Sequence, residues 1–445
     1  MTPIKDVCAL PGPYGVIMPG LDRWKEHGAP ATDSIERMDM KFGDKTVVEA
    51  CLGVDISRKA IEELLLLETD RFLIVYDENA LRLHGKYMEG LAVYVVVSRS
   101  ARAPPDPAAF DRTLDLWRRT ASVCREGGRP VSTITLPGGD EAKSWSHLET
   151  LVNWAFDSGA TKRSVCIGFG GGALLNICGL FSGMMYRGIR VVYLPTTFLA
   201  MHDVVTSLKT SICHHGRKNN VGIFYAPLRC YIDTVFCTTL STAEILSGMG
   251  ELAKNACIFG KEHATGLCPI LEQCQAEHRE PTGDELLALI RLGVAAKMSQ
   301  LEVDAHERIA GMVFEYGHTI GHALEKAYGD GTVPHGVGVA YGMMACSYVS
   351  EKLGHMSAAD RAVHDRICRL VTDRWPLPEP RPALSSVMSI MMRDSKRGIA
   401  KEQPHEISDV LLRSVGDTIY TSTQNLSKFP ADLVRQFLAE HLGFA

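Results

Sequence analysis

Two histidines four residues apart are the strongest chemical signal in the sequence. His318 and His322 lie in the segment EYGHTIGHALE, which has the spacing of a helix. Side chains four residues apart share one helical face, where two imidazoles can bind a metal ion or an anion. Glu251 and His335 could complete a three-ligand site with open coordination positions. Two simpler interpretations stay open: the histidines could lie in a core, and Glu251 could pair with a lysine on a helix surface.

A glycine run after an apolar segment is a second candidate site, in this case for a nucleotide. Gly170, Gly171 and Gly172 follow the apolar residues 164–169 and precede a predicted helix. Glycines in such a turn let backbone amides approach a pyrophosphate at the positive end of the helix. Asp77, which ends an earlier predicted strand, could hold a ribose hydroxyl. Each signal is weak alone, since glycine turns and acidic helix caps are also common structural features.

Several cations lie in polar surroundings that contain glycine or asparagine. Ammonium and guanidinium groups bind phosphates and carboxylates, so together these residues suggest recognition of an anionic small molecule. Taken one by one, each is explained equally well as a surface cation. The group consists of Arg187, Lys209, Arg217, Lys218, Lys254, Lys297, Lys396 and Arg397.

Composition excludes several classes of protein. The 445 residues carry 47 basic and 52 acidic side chains, a net charge of −5, which provides no general attraction for nucleic acid. Hydrophobic residues make up 46% and charged residues 22%, as in an ordinary globular protein. The apolar runs are shorter than the roughly 20 residues that a membrane span needs. The N-terminus lacks the pattern of a signal peptide, and 13 cysteines without a CxxC pair favour reduced thiols. We therefore expect a soluble, cytoplasmic protein.

The order of predicted elements indicates two domains after an N-terminal extension. Predicted strands alternate with predicted helices up to about residue 240, which favours a mainly parallel sheet covered on both faces. Ser241 and Glu244 then have the spacing of a capping box, and the rest of the chain is mostly helical. The predicted strands are 72–76, 91–97, 131–136, 164–169 and 191–194, and the predicted helices among them include 110–126 and 147–158. The predicted domains are an extension at 1–45, an α/β domain at 46–240 and a helical domain at 241–445.

Ten short motifs, in order between residues 71 and 398, resemble those of one known family. They are PGGDEAKS, GGGALLNICG, MMYRGI, LPTTFLA, HDVVTSLKT, GRKNNVG, GELAKN, FEYGHTIGHALE, PHGVGVAYGM and DSKRG. Together they resemble the sugar phosphate cyclases of the dehydroquinate synthase family. The resemblance implies a Rossmann-like NAD-binding α/β domain, an all-α C-terminal domain, an active site in the cleft between them, and a homodimer.

The resemblance also assigns roles to individual residues. NAD is expected to bind Asp77, Asn79, Asp140, Glu141, Lys143, Gly170, Gly171, Gly172, Thr196 and Thr197. A zinc or cobalt ion is expected on Glu251, His318 and His335, so that His322 falls to the substrate phosphate. Catalytic roles are expected for Asp203, Lys209, Lys254, Glu315 and His322. Substrate binding is expected for Lys218, Asn219, Lys297, Lys396 and Arg187, the last reaching a neighbouring subunit's phosphate.

Two positions narrow the substrate within this family. Dehydroquinate synthases, whose substrate bears a carboxylate, have an arginine at the position of Gly311 and an asparagine at that of Glu315. Loss of the guanidinium group at position 311 and gain of a carboxylate at position 315 would repel an anionic group of the substrate. The sequence is most similar to 2-deoxy-scyllo-inosose synthases, which act on glucose 6-phosphate in aminoglycoside biosynthesis. The open alternatives are a sedoheptulose 7-phosphate cyclase of the 2-epi-5-epi-valiolone synthase type, a 3-dehydroquinate synthase, a metal-dependent alcohol dehydrogenase and a non-catalytic binding protein.

Overall fold

A computed structural model describes most of the chain as two compact units. The described residues are 35–43, 46–88, 130–329, 331–394, 396–421 and 425–445. The first unit comprises the described residues up to 239 apart from 42–43, and the second comprises 42–43 and the described residues from 240 onward. The predicted strand 91–97 and the predicted helix 110–126 lie outside the described residues.

The first unit is built on a seven-stranded sheet. Its strands are β1 (Glu36–Phe42), β2 (Thr46–Gly53), β3 (Phe72–Asp77), β4 (Val131–Leu136), β5 (Val165–Gly170), β6 (Arg190–Pro195) and β9 (Arg229–Asp233), in the order β1-β2-β9-β6-β5-β3-β4. The recorded pairings from β2 across to β4 are all parallel. Strands β3 and β5 are buried along their whole length, as expected for apolar strands covered on both faces. The predicted mainly parallel sheet is thus confirmed.

Helices and a hairpin complete the first unit. The helices are α1 (Ser57–Leu65), α2 (Glu78–Met88), α3 (Trp145–Asp157) and α4 (Gly172–Met184). Strands β7 (Lys209–His214) and β8 (Arg217–Phe224) form a separate antiparallel pair. Short 3₁₀ turns lie at Gly139–Ala142, Met185–Arg187 and Thr234–Thr239, and a π-helical turn lies at Ala200–Val204. The four described strands predicted from sequence and the helix 147–158 all form, within two residues of the expected bounds.

Strand β1 lies in the stretch that we expected to be an extension. Met38, Met40 and Phe42 are buried and alternate with exposed charged residues, which is the period of a strand with one covered face. The expectation of a loose extension is therefore wrong for residues 36–42, which form an edge strand of the sheet.

The strand order reverses between β3 and β5. From β3 the chain continues to β4 on one side, then crosses to β5 on the other side and proceeds outward through β6 to β9. In open parallel sheets, ligands bind outside the carboxyl ends of the strands at such a reversal. Asp77 ends β3 and Gly170 ends β5, so both residues lie at this point of the sheet.

The second unit is mainly helical. Its helices are α5 (Thr242–Phe259), α6 (Lys261–Ala276), α7 (Gly283–Leu301), α8 (His318–Tyr328), α9 (His335–Lys352), α10 (Ala358–Thr372), α11 (Leu384–Met391) and α12 (Ala431–Leu442), with a 3₁₀ turn at Ala310–Glu315. Short strands β10 (Glu406–Asp409) and β13 (Ser427–Pro430) pair, as do β11 (Leu412–Ser414) and β12 (Asp417–Thr418). The predicted capping box forms, with both bonds between Ser241 and Glu244 present. Among the described residues, no helix is long and apolar enough to cross a membrane.

Glycines allow α5, α8 and α9 to approach at backbone distance. A Cβ atom on Gly250 of α5 would overlap the backbone of Gly336 on α9. On the other side of α9, a Cβ atom on Gly342 would overlap the carbonyl oxygen of Gly317 at the start of α8. Three helices therefore pack without side chains between them at these points.

Replacement of Gly250 tests this contact. Gly250→Ala is expected to lower the free energy of unfolding by about 1–3 kcal/mol or more, because the new methyl group must displace backbone. Chemical denaturation measures the change. Ser247→Ala on the same helix is the control, since it removes only a bond from the Ser247 hydroxyl to the Ala243 carbonyl. Equal stability of the Gly250→Ala protein and this control would contradict the role given to the close contact.

Candidate active site

A carboxylate and two imidazoles meet in the second unit. Glu251 lies on α5, His318 is the first residue of α8 and His335 is the first residue of α9. The Oε1 atom of Glu251 lies 3.3 Å from the Nε2 atom of each histidine. The close helix contacts described above bring these three side chains together from distant parts of the sequence.

The other nitrogen of each histidine is held by an oxygen. The Nδ1 atom of His318 lies 3.1 Å from the carbonyl oxygen of Tyr316, and that of His335 lies 2.8 Å from Glu325 Oε1. Each Nδ1–H donates to its oxygen, so each ring presents Nε2 to Glu251. The Oε1 atom of Glu251 is buried and has no conventional hydrogen-bond donor among the described residues. A mixed nitrogen and oxygen set of this kind fits zinc or cobalt.

Electrostatics at this cluster favour a positive ion. Burial lowers the pKa of His335, but Glu325 and Glu251 more than offset this and raise the pKa to about 10. Burial alone would raise the pKa of Glu251, yet Lys254 and His318 hold it well below its usual range. The two carboxylates thus attract a proton to the imidazole of His335 when no other cation is present. A divalent metal ion could replace that proton, since metal binding to such ligands releases protons.

His322 lies beside the same cluster. Its ring stacks on that of His335 with 5.6 Å between centroids, and its centroid is 5.2 Å from that of His318. One ligand nitrogen from each of the three histidines falls within 4.8 Å of the others. Burial, followed by His318 and His335, holds the pKa of His322 well below its usual range, so this imidazole is neutral. Two ligand sets therefore fit the geometry: Glu251 with two histidines, or the three histidines.

A second group of potential ligands has a different explanation. Cys257, His364 and Cys368 are buried and close enough to share an ion. However, His364 Nδ1 lies 2.9 Å from Asp365 Oδ1, and its Nε2 lies 2.8 Å from the Tyr316 hydroxyl. Both ring nitrogens are thus already satisfied, and this group is a hydrogen-bonded part of the core.

Two lysines share one aromatic ring near Glu251. The Nζ atom of Lys297 lies 4.1 Å from the centroid of Phe314, and that of Lys254 lies 5.5 Å from it. Lys254 also donates to the Phe314 carbonyl at 2.7 Å and forms an ion pair with Glu251. Both lysines are buried. Phe314 therefore orients two ammonium groups through its ring and its carbonyl oxygen.

Glu315 and Lys396 form a second charged group in this unit. Lys396 Nζ lies 3.4 Å from Glu315 and 3.0 Å from Asp394. Burial lowers the pKa of Lys396, but the carboxylates of Glu315 and Asp394 raise it above its ordinary value, so the ammonium group stays charged. Two carboxylates against one buried cation make this part of the site unfavourable for a further anionic group.

In the first unit, Asp77 and two glycines meet at the strand reversal. The Oδ1 atom of Asp77 accepts from the backbone amides of Asn79 at 2.9 Å and Ala80 at 3.1 Å, so Asp77 caps α2. A Cβ atom on Gly170 would lie only 2.6 Å from the Asp77 Cβ. A Cβ atom on Gly138 would lie 3.3 Å from Asp77 Oδ1. The two glycines therefore let the backbone at residues 138 and 170 approach Asp77 more closely than any side chain would allow.

The start of α4 fits a pyrophosphate. Its N-cap is Gly171, which provides no side chain to bind the first amides of the helix. Thr197 lies against Gly171, and the amide of Thr196 donates to the Gly170 carbonyl at 2.9 Å. A Cβ atom on Gly172 would lie 2.8 Å from Val204. The first amides of the helix thus have no side-chain cap, and Gly171 and Gly172 are only partly buried, so an anion could bind at this positive helix end.

The residues around the 3₁₀ turn at Gly139–Ala142, predicted to bind NAD, contact residues of β8 that were predicted to bind the substrate. Lys143 is buried, and its Nζ atom donates to the Asn219 Oδ1 atom. Burial lowers the pKa of Lys143. Asp140, in the same 3₁₀ turn as Glu141, lies 2.9 Å from Lys218. The turn predicted for NAD and the strand predicted for substrate thus form one polar network.

Three residues of the first unit that the sequence assigns to catalysis or substrate binding are exposed or only partly buried. Lys209 at the start of β7 and Arg187 are both exposed, and Arg187 has a left-handed backbone with φ of 66°. Asp203 is partly buried on the π-helical turn. The roles of these three residues stay predictions.

Models of two sequence families match the chain from residue 133 to residue 397. The model described as 3-dehydroquinate synthase N-terminal matches residues 133–247, and the model described as 3-dehydroquinate synthase C-terminal matches residues 248–397. The chain belongs to the dehydroquinate synthase family. It is therefore an enzyme, a sugar phosphate cyclase of the carbon–oxygen lyase class.

Individual members of the dehydroquinate synthase family are similar over most of the chain. The 2-deoxy-scyllo-inosose synthase of Streptoalloteichus tenebrarius is 37% identical over 324 residues, which are 72% of this chain and 81% of that protein. A crystal structure of 2-deoxy-scyllo-inosose synthase with carbaglucose-6-phosphate, NAD+ and Co2+ gives a TM-score of 0.74 at 25% identity, and covers 91% of this chain and 100% of that chain.

A second solved structure shares the fold at lower identity. The 2-epi-5-epi-valiolone synthase of Streptomyces hygroscopicus subsp. jinggangensis, solved with NAD+ and Zn2+ bound, gives a TM-score of 0.66 at 18% identity. It covers 89% of this chain and 98% of that chain. The predicted architecture of an α/β domain followed by a helical domain is confirmed, with four short strands added to the helical part.

Sequence reasoning missed three residues of this cyclase. Glu325 supports His335, Phe314 orients two lysines, and Asp409 accepts bonds at the start of α8. Burial raises the pKa of Asp409 to about 6, against the opposing effect of Lys396. The available signal for Asp409 was a carboxylate directly before the apolar residues 410–412, because a buried charge requires partners.

Replacement of Phe314 tests its effect on the lysines. Phe314→Leu is expected to weaken binding of inorganic phosphate to the metal-loaded protein by about 2-fold to 30-fold, since a cation–π contact contributes roughly 0.5–2 kcal/mol. Isothermal titration calorimetry measures the affinity. Phe259→Leu is the control, because it removes a ring 5.9 Å from that of Phe314 and leaves the ring beside Lys297 in place. Unchanged phosphate affinity in the Phe314→Leu protein would refute the orienting role.

Proposed function

We propose that this cyclase converts glucose 6-phosphate to 2-deoxy-scyllo-inosose with elimination of phosphate, using NAD and a zinc or cobalt ion. The observation that carries the proposal is Glu315 beside Lys396, 3.4 Å away. The names of the similar curated proteins agree with this substrate. The reaction would supply a six-carbon cyclitol of the aminoglycoside type.

The charge of the site supports a substrate without a carboxylate. Glu315 and Asp394 already share the one ammonium group of Lys396. A substrate carboxylate here would meet the negative charges of Glu315 and Asp394 and would have to compete with them for Lys396. This disfavours the substrate of dehydroquinate synthase. Glucose 6-phosphate carries only hydroxyl groups apart from its phosphate. A carboxylate such as that of Glu315 can accept a hydrogen bond from a hydroxyl group.

The two cofactors would occupy different units. When bound, NAD+ would take a hydride from the sugar and return it later, and the metal ion would polarise the sugar oxygen at the oxidised carbon. Asp77 and the first amides of α4 would hold the cofactor, together with the NAD residues predicted from the sequence. Glu251, His318 and His335 would hold the metal ion, with Glu325 orienting His335.

The remaining side chains would bind the substrate and move its protons. Lys254 and Lys297 present ammonium groups beside Phe314, where they can bind phosphate or sugar oxygens. His322 is neutral, so it can accept the proton that the carbon next to the oxidised carbon loses as the phosphate leaves. Glu315 would bind a hydroxyl group or transfer a proton. Asp203, Lys209, Lys218, Asn219 and Arg187, the cytoplasmic location and the homodimer stay predictions from the sequence.

A direct assay distinguishes the candidate substrates. The purified protein is incubated with NAD+ and either Co2+ or Zn2+. The substrate is glucose 6-phosphate, sedoheptulose 7-phosphate or the heptulosonate phosphate from which dehydroquinate is made. Phosphate release and product mass are measured. We expect release from glucose 6-phosphate with a six-carbon ketocyclitol as product. Release only from sedoheptulose 7-phosphate would assign the protein to the valiolone-forming enzymes, and release only from the heptulosonate phosphate would make it a dehydroquinate synthase. A protein that releases no phosphate from any of them would not be a cyclase of these types.

Replacement of Glu315 tests proton transfer. Glu315→Gln is expected to lower kcat for glucose 6-phosphate by about 10²-fold, because a positioned acid or base contributes roughly 10²–10⁴-fold. Glu302→Gln, at an exposed position, is the control and should leave kcat unchanged. Unchanged turnover in the Glu315→Gln protein would exclude a proton-transfer role.

A further inference from the structure

Asp409 is a fully buried carboxylate at the start of the helix that carries His318. It ends strand β10, where it pairs in register with Ser427 of β13. Its Oδ1 atom accepts from the amide of Gly317 at 2.9 Å, and its Oδ2 atom accepts from the amide of Thr319 at 3.2 Å. A third bond comes from the amide of Val410 at 2.7 Å.

Helix α8 has no cap of its own. Its N-cap residue is Gly317, which has a left-handed backbone with φ of 77° and no side chain to accept a bond. The first amides of any helix lack partners within the helix, and a carboxylate there is also favoured by the helix dipole. Asp409 therefore replaces the missing cap from a strand that lies far along the sequence.

The capped amides flank His318. Gly317 precedes it and Thr319 follows it, so the two oxygens of one carboxylate fix the backbone on both sides of the imidazole. Thr319 is tied a second time, because its hydroxyl donates to the Ser408 carbonyl at 3.1 Å. The His318 ring itself is oriented by the Tyr316 carbonyl. Movement of the first turn of α8 would move Nε2 of His318 away from Glu251.

We propose that Asp409 is a positioning residue that holds His318 in the geometry required for metal binding. This inference rests on the proposed metal site of Glu251, His318 and His335. Asp409 itself does not contact the metal; its effect passes through the backbone at the first turn of α8. Loss of a group that orients a metal ligand typically lowers metal affinity by about 10-fold to 100-fold.

The test measures Co2+ binding by the full-length protein. Asp409→Asn keeps the shape of the side chain but turns one oxygen into an amino group that cannot accept from a backbone amide. Asp409→Ala removes both oxygens. We expect Co2+ affinity, measured by titration against a chelator, to fall by about 10-fold to 100-fold in both variants. The visible absorption spectrum of bound Co2+ should also change, which a loss of stability alone would not cause.

Two further variants separate the possible results. Ser357→Ala removes an N-cap from α10, where the hydroxyl accepts from the Asp360 amide at 3.1 Å, and α10 carries none of the proposed ligands. It should lower thermal stability and leave Co2+ affinity unchanged. Glu251→Ala removes a proposed ligand and should abolish tight binding.

The outcomes distinguish the inference from the function on which it rests. If Glu251→Ala binds Co2+ as tightly as the unmodified protein, the proposed metal site is wrong. If Glu251→Ala loses Co2+ while folded Asp409→Asn binds it with unchanged affinity and spectrum, the metal site stands and the positioning role of Asp409 is refuted. A fall in affinity in Asp409→Asn that Ser357→Ala does not share supports the inference. Circular dichroism confirms that each variant is folded.

Discussion

Backbone contact between three helices is the constraint on which the candidate metal site depends. Glycines at positions 250 and 336 let α5 and α9 touch, and glycines at 317 and 342 do the same for α8 and α9. Helices normally pack with their axes 8–10 Å apart because side chains separate them. Because the glycines bring the three helices this close, the side chains of Glu251, His318 and His335 reach one another. The glycines are therefore part of what assembles the candidate metal site.

The buried charged side chains of the second unit form ion pairs with one another instead of a patch of one sign. Glu251 faces Lys254 and two imidazoles, His335 faces Glu325, and Lys396 faces Glu315. Burying a charge without a partner costs several kcal/mol, so each group depends on its neighbour to remain ionised. The arrangement keeps the ammonium group of Lys396 charged and the imidazole of His322 neutral. A neutral imidazole is the state that can accept a proton.

Much of the fold was predictable from sequence, because apolar strands and helix caps leave local signals. The runs 72–76 and 164–169, the glycines after β5 and the Ser241 capping box all formed as predicted. Strand β1 was missed because three alternating apolar residues between charged ones give a weak signal. The pattern at His318 and His322 was visible, and Glu251 and His335 were candidates from the residues alone, but their choice over His322 came from family resemblance. Asp409 acts on a residue 92 positions away, and Glu325 acts across the turn between two successive helices, and neither contact belongs to a local sequence pattern.

The reversal of strand order between β3 and β5 also makes the centre of the first sheet depend on distant segments. Strand β5 pairs with β3 although β4 lies between them in sequence, and all of these pairings are parallel. Such distant pairings cost the entropy of loop closure before they gain contacts, and they form slowly. The surface at which Asp77 meets Gly170 is thus absent from any folding intermediate that holds only β3 and β4. A dinucleotide site of the proposed kind would therefore be a property of the paired β3 and β5, and of neither strand alone.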